Sequence, residues 1–163
     1  MTAAGPFDEL MGELDYPMFI VTAAAGPGER AGCLVGFASQ TSIHPSRFLV
    51  CLSRENRTTR VAAGTEHLGV HFVPADREPL AELFGGVTGD DVDKFARCAW
   101  HEGAHGVPLL DDCSNRFVGR VLGRFDLGDH VGHLLEPVTA EHGAAGPEFT
   151  FHRAKRIDPG HPA

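Results

Sequence analysis

The sequence predicts a mainly β protein, a set of mostly antiparallel strands with three or four short helices, wrapped into a barrel. Three observations lead there. Apolar runs of strand length, rich in β-branched and aromatic residues, recur at Met18–Ala23, Cys33–Ala38, Phe48–Leu52 and His67–Val73, each bounded by turn-forming residues. Helical spacing is confined to short stretches such as Phe7–Met11 and Arg77–Phe84. A long segment, Arg116–Phe125, alternates arginine or glycine with apolar residues, then turns at Leu127–His130 into Val131–Val138, which describes a hairpin. Closing such a sheet into a barrel removes the exposed edges that invite aggregation.

Taken in order, Phe7–Met11 is one short helix, stopped by Tyr16-Pro17. Met18–Ala23 is the first strand, and Ala25–Arg30 is a glycine- and proline-rich hairpin turn. Gly26-Pro27-Gly28 has neither the spacing nor the following helix of a dinucleotide fingerprint. Strand two runs from about Cys33 to Thr41 and strand three from Arg47 to Ser53. Both carry continuous apolar runs, so both faces of the sheet are covered. Asn56–Ala63 is a short helix ended by Gly64, and His67–Val73 is a strand ended by Pro74. Asp76 caps a helix over Arg77–Phe84, and Asp90–Ala96 forms another with acids in its first turn. Phe149–His152 is a last strand, and Ala154–Ala163 is a loose polar tail.

At 163 residues the chain is expected to be one domain over 1–163, with its core at about 16–152. A net charge of −8 argues against nucleic acid and anionic membrane surfaces as partners. No apolar run reaches the ~20 residues of a bilayer span. The N-terminal stretch has no basic n-region and no apolar h-region, so it does not read as a secretory signal. Cys33, Cys51, Cys98 and Cys113 show no CxxC spacing and read as reduced, mostly buried thiols of a cytoplasmic protein.

Two histidine patterns suggest a metal and are read otherwise. His67 and His71 share a strand face but stand about 13 Å apart by strand rise, too far to share an ion. His101-Glu102-Gly103-Ala104-His105 spells HExxH, which needs a continuous helix. Gly103, Gly106 and Pro108 break one there, so the segment is a surface loop and no metal is expected.

The candidate site lies in Gly32–Thr58. Two apolar runs are separated by a hydroxyl-rich bend, Ser39-Gln40-Thr41-Ser42, closed by His44-Pro45, and followed by a second polar bend, Ser53–Thr58. Hydroxyls, backbone N–H groups and the guanidinium groups of Arg54, Arg57 and Arg60 suit an anion such as a phosphate.

These residues resemble the flavin reductase-like, FMN-binding split-barrel family, from about Tyr16 to Thr139. Four segments carry the likeness: Phe19-Ile20-Val21-Thr22; Gly32 to Pro45 with Ser42-Ile43-His44-Pro45; Phe48–Ser53 leading to Thr58; and the Gly128-Asp129-His130 turn. The resemblance implies an antiparallel, Greek-key split barrel that forms a homodimer with flavin near the interface. It implies FMN, with FAD as the alternative, and NADH or NADPH as hydride donor. The ring would lie against Val35, Gly36, Phe37, Ala38, Ser39 and Gln40. The phosphate would fall to the two bends, at Ser39, Ser42, Ser53, Asn56, Arg57 and Thr58. His130 would stand on the nicotinamide side as the catalytic group. Where reductases of the family carry hydroxyls, this chain has Leu34, Gly36 and Phe37, and Gly36 lets the backbone approach a ring closely. The implied function is NAD(P)H-dependent flavin reduction, which can supply a monooxygenase partner. The alternative is a flavin- or haem-binding protein on the same barrel without turnover.

Overall fold

The structure, a computed structural model, describes residues 5–160. One seven-stranded sheet organises it: β1 (Phe19–Ala24), β2 (Arg30–Val35), β3 (Ala38–Ser42), β4 (Arg47–Ser53), β5 (His67–Phe72), β8 (Arg116–Asp126) and β9 (His130–Glu141). The two remaining strands, β6 (Trp100–Glu102) and β7 (Pro108–Leu110), pair with each other. The helices are α1 (Pro6–Glu13), α2 (Arg57–Ala62), α3 (Glu78–Gly86) and α4 (Phe151–Ala154). Among the described residues no helix is long and apolar enough to cross a membrane.

The sheet order is β2-β1-β5-β8-β9-β4-β3, with every neighbouring pair antiparallel. Its two edge strands, β2 and β3, are consecutive in the chain and separated by only Gly36 and Phe37. So short a link forces the edges together and curls the sheet into a barrel, yet no ladder joins β2 to β3. The barrel is therefore split. The expected single strand over Cys33–Thr41 breaks at Gly36-Phe37, where the chain leaves β1 and joins β4, with the Phe37 carbonyl accepting from the Cys51 N–H at 2.9 Å.

Both faces of the sheet are covered, as the apolar runs required. Phe19, Val21, Val50, Leu52, Leu68, Val70 and Leu135 fill the barrel interior. Phe19, Phe48 and Phe117 meet there edge to face, at 5.5 and 5.3 Å. Met18, Ile20, Leu80, Phe84, Phe95, Leu110 and Phe149 pack on the outer side, beneath α3 and the C-terminal segment. Burial of this much apolar area is the main term holding the fold.

Several local expectations are corrected. Asp76 does not cap α3, whose N-cap is Arg77 with no side-chain bond. No helix spans Asp90–Ala96: a single 3-10 turn forms at Lys94–Arg97, and Asp93 accepts from the Phe95 N–H at 3.1 Å. Phe149–His152 is not a strand. Thr150 makes an isolated bridge to Pro17, and Phe151 opens α4. Within the expected tail, Ala154 is buried and Ile157 packs on the outer core beside α3, as apolar side chains do where a surface is offered. Residues 161–163 of that predicted tail lie outside the described residues. The HExxH segment is not a plain loop: His101 and Glu102 lie in β6 and Ala104–Gly106 forms a 3-10 turn. His101 bonds Asp111 at 2.5 Å, whereas His105 stacks on His67 at 3.8 Å.

Candidate functional site

The Gly128-Asp129-His130 turn is fixed by its own chemistry. Gly128 has φ +96°, which glycine alone adopts without cost. Arg54 ties the turn to the second bend: its Nε donates to the Gly128 carbonyl at 2.7 Å, its backbone N–H to the Asp129 carbonyl at 3.0 Å, and its guanidinium pairs with Asp126. The β4–β9 ladder then sets Ser53 directly opposite His130. The polar bend and the histidine, far apart in sequence, are thus one unit.

Around that unit lies a cavity of about 270 Å³. Val35, Gly36, Phe37, Ser53, Asn56 and His130 all border it. Its far wall is the C-terminal segment, with Phe151 stacked on Tyr16 at 4.8 Å and 11°. His130 touches Phe37, ring centroids 4.9 Å apart, and its Nδ1 lies 2.6 Å from an Asp129 oxygen. That hydrogen bond holds the Asp129 carboxyl below its ordinary range. The lining is mostly apolar and aromatic with a few polar groups at one end, which suits a planar ring carrying polar edges.

A second cavity of about 250 Å³ adjoins the first across Asn56. Asn56 caps α2 by accepting from the Thr58 N–H at 2.9 Å. Arg30, Arg57, Thr58 and Lys94 line this cavity, and so do Asp90, Asp91 and Asp93. Lys94 is only 4% exposed, and its Nζ donates to the carbonyls of Gly32 and Phe84 at 3.1 and 3.0 Å rather than to a carboxylate. Burial pushes its pKa down. Thr58 is fully buried, with its hydroxyl against the Cys33 thiol. The buried Lys94 ammonium and the Arg57 guanidinium are the groups there that suit an anion. Asp90 is engaged by Arg60 at 2.7 Å and stands 3.9 Å from Arg57.

The structure therefore brings Val35, Gly36, Phe37, Ser53, Asn56 and His130 around one cavity, and Arg57 and Thr58 around its neighbour. Ala38, Ser39, Gln40 and Ser42 line neither. They belong to edge strand β3, where Ser39 donates to the Gln40 carbonyl and Gln40 to that of Ser42. Sequence reasoning missed Lys94, Tyr16 and Phe151. Lys94 follows Asp90-Asp91-Val92-Asp93, a charged stretch that reads as solvated surface, and nothing local shows that it folds inward.

A family model described as flavin reductase like domain matches residues 11–158. The chain is 32% identical over 124 residues to an FMN reductase (NADH) of Bradyrhizobium diazoefficiens, covering 76% of this chain and 68% of that protein. It is 32% identical over 127 residues to one from Methylorubrum extorquens, of which it spans only 62%. Its fold matches the NADH:FAD oxidoreductase of Streptomyces globisporus with TM-score 0.81 at 22% identity, over 93% of this chain and 92% of that one. It matches nitrilotriacetate monooxygenase component B from Mycobacterium thermoresistibile with TM-score 0.80 at 21% identity, over 91% and 82%.

Proposed function

The chain belongs to the flavin reductase-like domain family, and from that premise we propose that it is an NADH-dependent flavin reductase. The observation that carries this is the convergence of Val35, Gly36, Phe37, Ser53, Asn56 and His130, from distant parts of the sequence, on one largely apolar cavity beside a charged one that holds Arg57 and Lys94. A bound flavin supplies the hydride-accepting centre that no side chain can provide. The chain's part is to bind, orient and exclude water. Val35, Gly36 and Phe37 offer the ring an apolar surface and a close backbone. Ser53 and Asn56 mark its polar end. Arg57, Thr58 and Lys94 receive the phosphate. His130, held by Asp129 and packed on Phe37, fixes the nicotinamide edge by hydrogen bonding, so that donor and acceptor carbons are held in register.

The partners follow from the surface. Leu122, Phe125 and Leu127, towards the tip of the β8–β9 hairpin, are 38–52% exposed. That much apolar surface suits a second copy of the chain, with the flavin near the interface. Likeness to a monooxygenase component supports release of reduced flavin to an oxygenase. The four free cysteines suit the reducing cytoplasm. Steady-state NADH oxidation, with and without added FMN, tests the activity. No flavin-dependent oxidation would end the proposal. Light scattering tests the dimer, and a monomeric mass would remove it.

A further inference from the structure

The far wall of the ring cavity is held in two different ways. Up to Ala154 it is pinned by main chain and by Arg153. The Phe149 N–H donates to the Val73 carbonyl at 2.8 Å, the Phe149 carbonyl accepts from the Met18 N–H at 2.9 Å, and the Phe151 N–H donates to the Tyr16 carbonyl at 2.9 Å. Arg153 donates to the Ala75 carbonyl at 2.6 Å and pairs with Glu78 at 2.9 Å. From Lys155 onward the pattern changes. The N–H groups of Lys155, Arg156 and Ile157 donate only locally, to Phe151, Arg153 and Ala154, and among the described residues no main-chain hydrogen bond ties 155–160 to the sheet or to α3. That stretch is held by Ile157 on the outer core and by the Lys155 ammonium, which donates to the Gly12 carbonyl at 3.1 Å. It passes closely over the end of α3: a Cβ at Gly86 would meet the Ile157 side chain at 3.1 Å, and one at Gly160 the Val87 and Thr88 backbone at 2.6 Å. Lys155, Ile157 and Pro159 line the ring cavity, whereas Gly86 and Gly160 do not.

We propose that residues 155–160 form a strap, hinged after Ala154, which must swing off the ring cavity before a nicotinamide can stack on the flavin. The inference rests on the flavin reading above and deepens it. The cavity, about 270 Å³, is smaller than the ~300–1,000 Å³ of sites that enclose one small-molecule ligand. Hydride transfer requires two ring systems face to face. With the strap down, the cavity has room for the flavin ring alone. The other walls cannot yield in its place: Val35, Cys51, Ser53 and His130 belong to strands of the sheet and share its ladders. On opening, the strap forfeits chiefly the packing of one isoleucine and one ammonium–carbonyl bond, which puts it at the low-stability end of the molecule. It is a gate on the second ring, and its opening precedes the chemistry.

A cross-link and a wedge test this. Gly86→Cys with Ile157→Cys places two thiols where a disulfide can form, since a Cβ at Gly86 lies against the Ile157 side chain. The double variant is loaded with FMN and divided, and one half is mildly oxidised, with the cross-link verified by mass. Anaerobic rapid mixing with NADH should bleach the cross-linked half at least about tenfold more slowly than the reduced half, and cleaving the disulfide should restore the rate. Equal rates would overturn the proposal, and so would failure of the pair to cross-link. Gly160→Val drives a side chain into the Val87 and Thr88 backbone and should lift the strap without altering a cavity residue. Trypsin reads this without turnover, because Lys155 and Arg156 are cleavage sites inside the strap. Cutting there, relative to the chain's other basic sites, should be about tenfold faster in Gly160→Val than in the native chain. An unchanged ratio would refute the strap. A Gly160→Val chain cut everywhere at once has lost its fold, and the cross-link then decides; if the double variant holds no FMN, the trypsin ratio decides. A native chain loaded with FMN that NADH never bleaches would instead sink the reductase reading, and the trypsin ratio then judges the strap on its own.

Discussion

Phe37 and His130 meet with their ring centroids 4.9 Å apart and their planes tilted by 51°. One residue ends the link between the two sheet edges and the other begins β9. Both border the cavity of about 270 Å³, so their contact joins the strand break to the start of β9 at its wall.

His130→Ala should lower the rate of flavin reduction by about tenfold to a hundredfold, while flavin affinity changes by less than about threefold. Asp129→Asn, which keeps the imidazole but weakens its anchor, should act in the same direction and less strongly. Rapid-mixing absorbance under anaerobic conditions separates rate from affinity. An unchanged rate in His130→Ala would remove its assigned role.

Lys94→Met should dissociate stability from ligand binding. The substitution leaves the Gly32 and Phe84 carbonyls without their donor, which costs about 1–3 kcal/mol, but it also removes a desolvated cation. Net stability in denaturant should shift little. Flavin affinity should fall about tenfold, because a charge-assisted bond to the phosphate is lost. Loss of stability without loss of affinity would make Lys94 purely structural.

Much of the fold was legible because the governing signals are local. β4 spans Arg47–Ser53 as its apolar run predicts, and α2 falls inside the expected Asn56–Ala63 helix, with Asn56 as its cap rather than its first turn. The Gly-Asp-His turn also showed itself, since Gly128 must adopt a positive φ. What was hidden depends on distant partners. The break at Gly36-Phe37 arises because the sheet edges must be bridged, which no local pattern encodes. The C-terminal segment looks polar, yet Phe151 stacks on Tyr16 and Ile157 packs beside α3. Ser39, Gln40 and Ser42 carry the right chemistry for an anion, but they line neither cavity, which only the path of β3 shows.

His71 predicts an acid limb of stability. It is fully buried, its Nδ1 donates to the Ile20 carbonyl at 2.9 Å, and its Nε2 accepts from the Leu110 N–H at 3.0 Å. That pairing needs the neutral ring, and burial, the main cause, lowers its pKa from 6.5 to about 4. The unfolded chain takes up the proton first as pH falls. Stability is therefore complete above pH 6.5 and is lost progressively down to about pH 4, by on the order of 3 kcal/mol from this group. His133, also depressed by burial, adds in the same direction. Urea unfolding from pH 4 to 7 should show the slope, and His71→Gln should flatten it; a native chain with flat stability over this range would contradict the assignment.

Gly32→Ala should be costly. A Cβ there would stand 2.7 Å from the Phe84 ring, which is itself fully buried, and 3.3 Å from the Val21 carbonyl. Neither neighbour can yield freely, so a loss of about 1–3 kcal/mol is expected in equilibrium denaturation. Gly36→Ala meets the Tyr16 ring at 3.0 Å and the flexible Met18 side chain at 3.2 Å, and should cost less while narrowing the ring cavity. Weaker flavin binding in Gly36→Ala with near-native stability would locate the ring against this backbone.

The most direct measurement is the visible spectrum of the protein loaded with flavin, recorded anaerobically before and after NADH. The predicted result is a flavin band that bleaches within the mixing time of a manual experiment and returns on admitting air. A band that stays oxidised with NADH and with NADPH would contradict a reductase and leave a flavin-binding barrel without turnover.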